Sequence, residues 1–87
     1  MRITGIIIHN GSDDGIHVNN DEIKEKMIEL YRNSSRNGRE EPDNAFISNA
    51  NKLQYYCQNN DYDKVSDLLF AFHGFIITLS WVMETGD

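Results

Sequence analysis

The sequence predicts an α+β fold, an N-terminal β-hairpin packed on three α-helices, and three observations carry that expectation. The first dozen and a half residues hold two β-prone pieces around a cluster of turn formers. Two middle segments repeat apolar residues at helical spacing. Residues 65–83, VSDLLFAFHGFIITLSWVM, concentrate thirteen hydrophobic side chains in nineteen positions with Asp67 as the single charge.

Arg2 to His9 is rich in β-branched residues, and Ile16 to Val18 is a second short β piece after Asn10-Gly11-Ser12-Asp13-Asp14-Gly15. The consecutive Ile6, Ile7 and Ile8 suggest a strand covered on both faces. A lone two-stranded hairpin is marginal in water, so helices or a third strand must pack on it.

The first helix has Asn19 as candidate cap, Glu22 in capping-box position and Val18 poised to staple against Ile23. Its apolar stripe is Ile23, Met27, Leu30 and Tyr31, Glu22 and Lys26 form an i,i+4 pair, and Asn37-Gly38 is a natural stop. Residues around 33 to 41 read as a polar connector. Pro42 or Asp43 opens the second helix, which carries Phe46, Ala50, Leu53 and Cys57 on one stripe and ends at Asn59-Asn60. Asn60 or Asp61 then caps the third helix, and the two helices make an αα-hairpin.

The hydrophobic block is read as one long helix with a stripe of Val65, Leu68, Leu69, Phe72, Ile76, Leu79 and Met83. That arrangement leaves Phe70, Ile77 and Trp81 as a second apolar line, a candidate partner or dimer interface. The alternative is a helix that stops at Gly74, with His73 near its C-terminal dipole and residues 75–83 as a third strand. In that case the line of Phe70, Ile77 and Trp81 disappears.

Eighty-seven residues form one domain, 1–87, and so short a chain buries only about 60–65% of its unfolded surface, which makes oligomerisation, here a homodimer, a natural supplement. One cysteine, Cys57, excludes an intramolecular disulfide and favours a reducing compartment. Residues 5–8 are too short an apolar run for a signal peptide, and the 65–83 block contains Asp67, His73, Thr78 and Ser80 without a flanking basic cluster. The expected place is the cytoplasm, with no membrane span.

Fourteen acids against eight bases give a net charge of −6, which disfavours direct nucleic-acid binding and favours basic protein partners. Arg32, Arg36 and Arg39, with Tyr31, Tyr55 or Tyr56 as stacking faces, are bracketed by acids and make a poor phosphate footprint. Their expected role is to complement a helix end. His9 and His17 beside Asp13 and Asp14 compose a candidate divalent-metal set, yet two histidines ending short strands read as surface residues, and SDDG lacks the spaced oxygen ligands of a calcium loop. Cys57 lies on a buried stripe, and Glu40-Glu41 and Asp61-Asp63 sit in turns and caps rather than in a cleft. No nucleotide-binding, nucleophile-elbow or zincin motif occurs, and no metal, cofactor or catalytic residue is expected.

Glu22, Glu25 and Glu29, at i, i+3 and i+7 opposite the apolar stripe, are the better candidates for recognition, with Asp61 and Asp63 as a further acidic pair. Ten Asn and ten Ile against one Pro suggest an AT-rich coding sequence, as in a low-GC bacterium or its phage. In size and composition the chain resembles the small host-directed proteins of phages and mobile elements, some of which mimic DNA. That resemblance implies a non-enzymatic inhibitor, acting in the bacterial host cytoplasm, that occludes a basic nucleic-acid-binding surface of a host protein. The other expectation is a regulatory or antitoxin-like subunit that binds its partner through hydrophobic helices.

Overall fold

Three strands and three helices make up the computed structural model, which describes residues 1–9, 14–34, 41–72 and 75–83. In chain order these are β1 (Arg2–His9), β2 (Ile16–Asn19), α1 (Ile23–Ser34), α2 (Asn44–Gln58), α3 (Tyr62–Leu68) and β3 (Ile76–Val82). The sheet is antiparallel with order β2-β1-β3, so the first strand is central and pairs with both others.

The expected hairpin is present, with Ile8 opposite Ile16 and Ile6 opposite Val18. Of its proposed turn, 10–15, residues 10–13 lie outside the described residues, and Gly15 has the positive φ, 101°, that a turn glycine allows. The expectation of a long hydrophobic helix is overturned. The helical part of the block ends at Leu68 and tightens into a 3-10 turn over Leu69–Ala71, and the sequence from Ile76 onward is a strand, as in the alternative reading. The physical reason is the central position of β1. Its second edge carries backbone groups that need partners, and the β-branched and aromatic run Ile76–Val82 supplies them from Arg2↔Val82 to His9↔Ile76. A helix through 83 would leave that edge bare. The proposed stop at His73-Gly74 lies outside the described residues.

A bulge sets the phase of β1. Strict alternation would put Ile3 and Ile6 on opposite faces, but the β1–β3 register shifts between Ile3 and Gly5, with Ile3 opposite Trp81 and Gly5 opposite Ser80. The extra residue, Thr4, returns Ile3 to the face of Ile6 and Ile8, and all three are buried. Gly5 is required by a close approach, because a Cβ there would run into the Val18 carbonyl oxygen of β2.

The helices cover this one face. Ile3, Ile6, Ile8, Val18 and Ile77 of the sheet share one buried cluster with Ile23 and Met27 of α1, Ala50, Leu53 and Cys57 of α2, Val65 of α3, and Phe72. Each Val, Leu, Ile, Met and Phe side chain of the cluster contributes about 1.5–3 kcal/mol through burial. Phe46 joins the layers, its ring centroid 4.7 Å from Tyr31 and 5.6 Å from Phe72. The second face is not covered as the isoleucine triplet suggested, and Ile7, which points to it, is half-buried.

Helix starts follow expectation in two cases of three. The Asp43 carboxylate accepts from the Phe46 N–H at 2.8 Å, and Asp61 accepts from the Lys64 N–H at 3.3 Å. The capping box at Asn19 does not form, because Asn19 belongs to β2 and Asn20–Glu22 make a 3-10 turn without a side-chain cap. The Lys24 N–H instead donates to Gln54 Oε1 of α2 at 2.9 Å. Lys26 pairs with Glu29 at 3.1 Å, an i,i+3 contact, in place of the expected Glu22–Lys26 pair.

Two asparagines finish the sheet where β2 stops short of Ile3. Asn60 Oδ1 accepts from the Ile3 N–H at 2.7 Å and its Nδ2 donates to the Met1 carbonyl at 3.1 Å. Asn20 Nδ2 donates to the Ile3 carbonyl at 2.9 Å. Asn60 is also left-handed, at φ 58°, a conformation asparagine tolerates better than most residues.

Candidate interaction surfaces

The charged candidates divide between two helices. Glu22 ends the 3-10 turn that leads into α1, and Glu25 and Glu29 follow along the helix with all three side chains exposed. Their helical spacing spreads them over about 10 Å of axis. Exposed Asp21 extends the row and accepts from Gln58 Nε2 at 2.8 Å. Asp61 and Asp63 are elsewhere, on α3, and both α1 and α3 pack against α2. Asp61 is the α3 cap, with Lys64 Nζ 4.0 Å from its carboxylate, and Asp63 is exposed in the first turn. The five carboxylates therefore do not form one site, and only the α1 set makes a continuous row.

The apolar candidates are dispersed by the strand. On a helix Phe70, Ile77 and Trp81 would share a line, whereas here Phe70 lies in the 3-10 turn at 84% exposure, and Ile77 is core at 9%. Trp81 is half-exposed at 48% on the helix-facing side of β3, near the end of that strand. Exposed Ile76 and Val82, at 66% and 45%, point to the opposite face. The strand reading of 75–83 contained these two, but they were not singled out. An alternating pattern assigns faces, and only the pairing with β1 shows that, among the described residues, the other edge of β3 carries no strand.

The residues weighed for chemistry fall into structural settings. Cys57 is buried, and burial pushes its thiol up from an ordinary 9.0 to about 12. A thiol so shifted holds its proton and is a poor nucleophile near neutral pH. Among the described residues no group of three or more His, Cys, Asp or Glu side chains is placed to hold a metal ion. Asp13 lies outside them, as do Arg36, Arg39 and Glu40. Arg32 forms a two-point contact with Glu41, Nη2 at 2.7 Å and Nε at 3.0 Å from the same oxygen. No helix among the described residues is long and apolar enough to cross a membrane.

One cluster was not foreseen from the sequence. His17 Nε2 lies 3.0 Å from Ser80 Oγ, which is 3.1 Å from Thr4 Oγ1, so one side chain from each strand meets on the uncovered face. A serine–histidine contact can serve nucleophilic catalysis when a third group orients the imidazole and donors await an oxyanion. Among the described residues the three groups act as a polar latch between the outer strands across β1. The serine and threonine look like ordinary strand residues until the bulge brings Thr4 to Ser80.

Comparison with protein-family models, with curated proteins and with solved structures gives no match.

Proposed function

We propose that this chain is a small acidic protein-binding module, without enzymatic activity of its own, that inhibits a bacterial host protein by covering its basic nucleic-acid-binding surface as a DNA mimic would. The observation that carries this reading is the exposed row of Glu22, Glu25 and Glu29, which runs from the end of the 3-10 turn along α1. The three carboxylates sit on a helical segment whose other side is anchored in the core through Ile23 and Met27, so the side chains alone, and not the backbone, have to be ordered on binding. Their span of about 10 Å matches the rise of about three nucleotides along one strand of DNA. A net charge of −6 steers such a module toward a positive surface. In this reading the source is a phage or mobile element and the site of action is the host cytoplasm.

Affinity capture from a low-GC bacterial lysate tests it. The expected catch is a basic protein whose retention falls steeply with salt, since exposed charges are screened beyond about 8–10 Å, and which is lost on changing Glu22, Glu25 and Glu29 together to lysine. Unaltered capture by that variant overturns the acidic face.

The exposed Phe70 and Trp81 favour a second reading, a regulatory or antitoxin-like subunit held to its partner by apolar contact. Capture would then resist salt and charge reversal and fail on Phe70→Ala with Trp81→Ala.

A further inference from the structure

Among the described residues, the free edge of β3 has none of the features that keep sheet edges apart. Natural edge strands are blunted by charges, proline, bulges or covering segments, yet Ile76–Val82 reads IITLSWV, with no ionisable residue and no proline. The bulged residue of the β1–β3 ladder is Thr4, on the other strand. Among the described residues no strand pairs with this edge, so alternate residues of the seven aim their backbone groups outward, from a strand whose exposed side chains include Ile76, Trp81 and Val82.

The pattern of that strand indicates what pairs with it. In an antiparallel sheet alternate residues aim both N–H and C=O at a given edge. Two copies of β3 can therefore meet only in registers that oppose residues of the same face. One such register, with its two-fold axis at Leu79, places all seven residues opposite a partner. Ile76 then faces Val82, Ile77 faces Trp81, Thr78 faces Ser80, and Leu79 faces itself. Apolar residues meet apolar ones and hydroxyls meet hydroxyls, on both faces at once. Paired residues of this kind are the stabilising units of a sheet, and an isologous two-fold contact demands just this self-complementarity. Each chain carries −6, and β3 brings two such chains together without setting an ionised side chain opposite another.

We propose that β3 is a homodimerisation edge, joining two copies antiparallel about Leu79 into a continuous six-stranded sheet of order β2-β1-β3-β3-β1-β2. The two helical layers lie on the same side of that sheet, and the half-exposed Trp81 is covered by the second copy. This inference is independent of the acidic face of α1, which the dimer would present twice.

Light scattering on a sizing column, with sedimentation equilibrium, tests the edge. The wild-type chain should give twice the 10.1 kDa monomer mass. Ile76 and Val82 are exposed in the monomer, so I76E/V82E and I76K/V82K should keep the wild-type circular dichroism. Each sets like charges opposite one another twice, which should weaken dimerisation at least about tenfold. Mixing the two variants sets Glu opposite Lys and should restore a dimer. A wild-type monomer at every concentration overturns the proposal and leaves the edge to a strand of another protein. A dimer that survives I76E/V82E, or a mixture that stays monomeric, overturns the edge or its register. Hydrogen exchange on the wild-type chain gives a check without substitution: amide protection over 76–82 should rise with protein concentration, and unchanged protection refutes the pairing.

Discussion

Asn60 stands at a junction of backbone and side-chain demands that substitution can separate. Its amide has a fixed orientation, because the Ile3 N–H only donates and the Met1 carbonyl only accepts, so Oδ1 meets the first at 2.7 Å and Nδ2 the second at 3.1 Å. Its left-handed φ of 58° costs an alanine about 1 kcal/mol and a glycine almost nothing. Asn60→Gly therefore removes the two hydrogen bonds and keeps the turn. Each is worth about 0.5–1.5 kcal/mol, and the part-buried Ile3 N–H is left without its partner, so the expected loss is about 1–3 kcal/mol. Asn60→Ala adds the backbone cost, for a total of about 2–4 kcal/mol. In a domain of this size each 1 kcal/mol lowers Tm by about 4–8 °C. Urea unfolding followed by circular dichroism reads both losses, with an unchanged slope as the check that the native state is intact. Wild-type stability in Asn60→Gly would refute the tether, and equal stability of the glycine and alanine variants would refute the conformational part.

Four further substitutions probe the fold. Gly5→Ala forces a methyl group into the Val18 carbonyl and should cost about 3 kcal/mol or more in thermal denaturation, whereas Thr4→Ala should cost much less. Gln54→Ala removes the acceptor for the Lys24 N–H and should lower stability by about 1 kcal/mol, read as a shift in the urea midpoint. Cys57 favours its protonated form in the fold, so its contribution is complete below about pH 9 and is lost as pH rises toward 12, at up to about 1.4 kcal/mol per pH unit. Stability measured between pH 8 and about 10.5 should fall more steeply in the wild type than in Cys57→Ala, and equal slopes would refute the shift.

Most local signals were legible, the Asn19 capping box and the Glu22–Lys26 pair excepted, and long-range ones were not. The stripe of Phe46, Ala50, Leu53 and Cys57, and the cap Asp61, depend on neighbours within a few positions, and each is where the sequence puts it. Residues 75–83 were ambiguous because an apolar run satisfies a helix and a strand equally until its partner is known. That partner, β1, is the most distant segment of the chain. The same holds for the amide of Gln54 at Lys24, for Asn60 at Ile3, and for the hydroxyl latch of Thr4, Ser80 and His17. None leaves a trace in local spacing. The acidic row on α1 was legible because it needs only helical periodicity, while Asp61 and Asp63 looked equivalent until α3 placed them apart from that row.

The bulge joins Thr4 to Ser80 across 76 residues of sequence, and the ladder it interrupts is the most extensive in the sheet. Loops of that size close slowly, and their entropy is lost before any contact compensates it. While the chain waits for that closure, the isoleucine-rich β1 has a bare edge and an apolar face, the combination that most readily recruits other unfolded chains. Refolding yield should therefore depend on concentration more than native stability does, and the bottleneck is an encounter between the two segments that are farthest apart in the sequence.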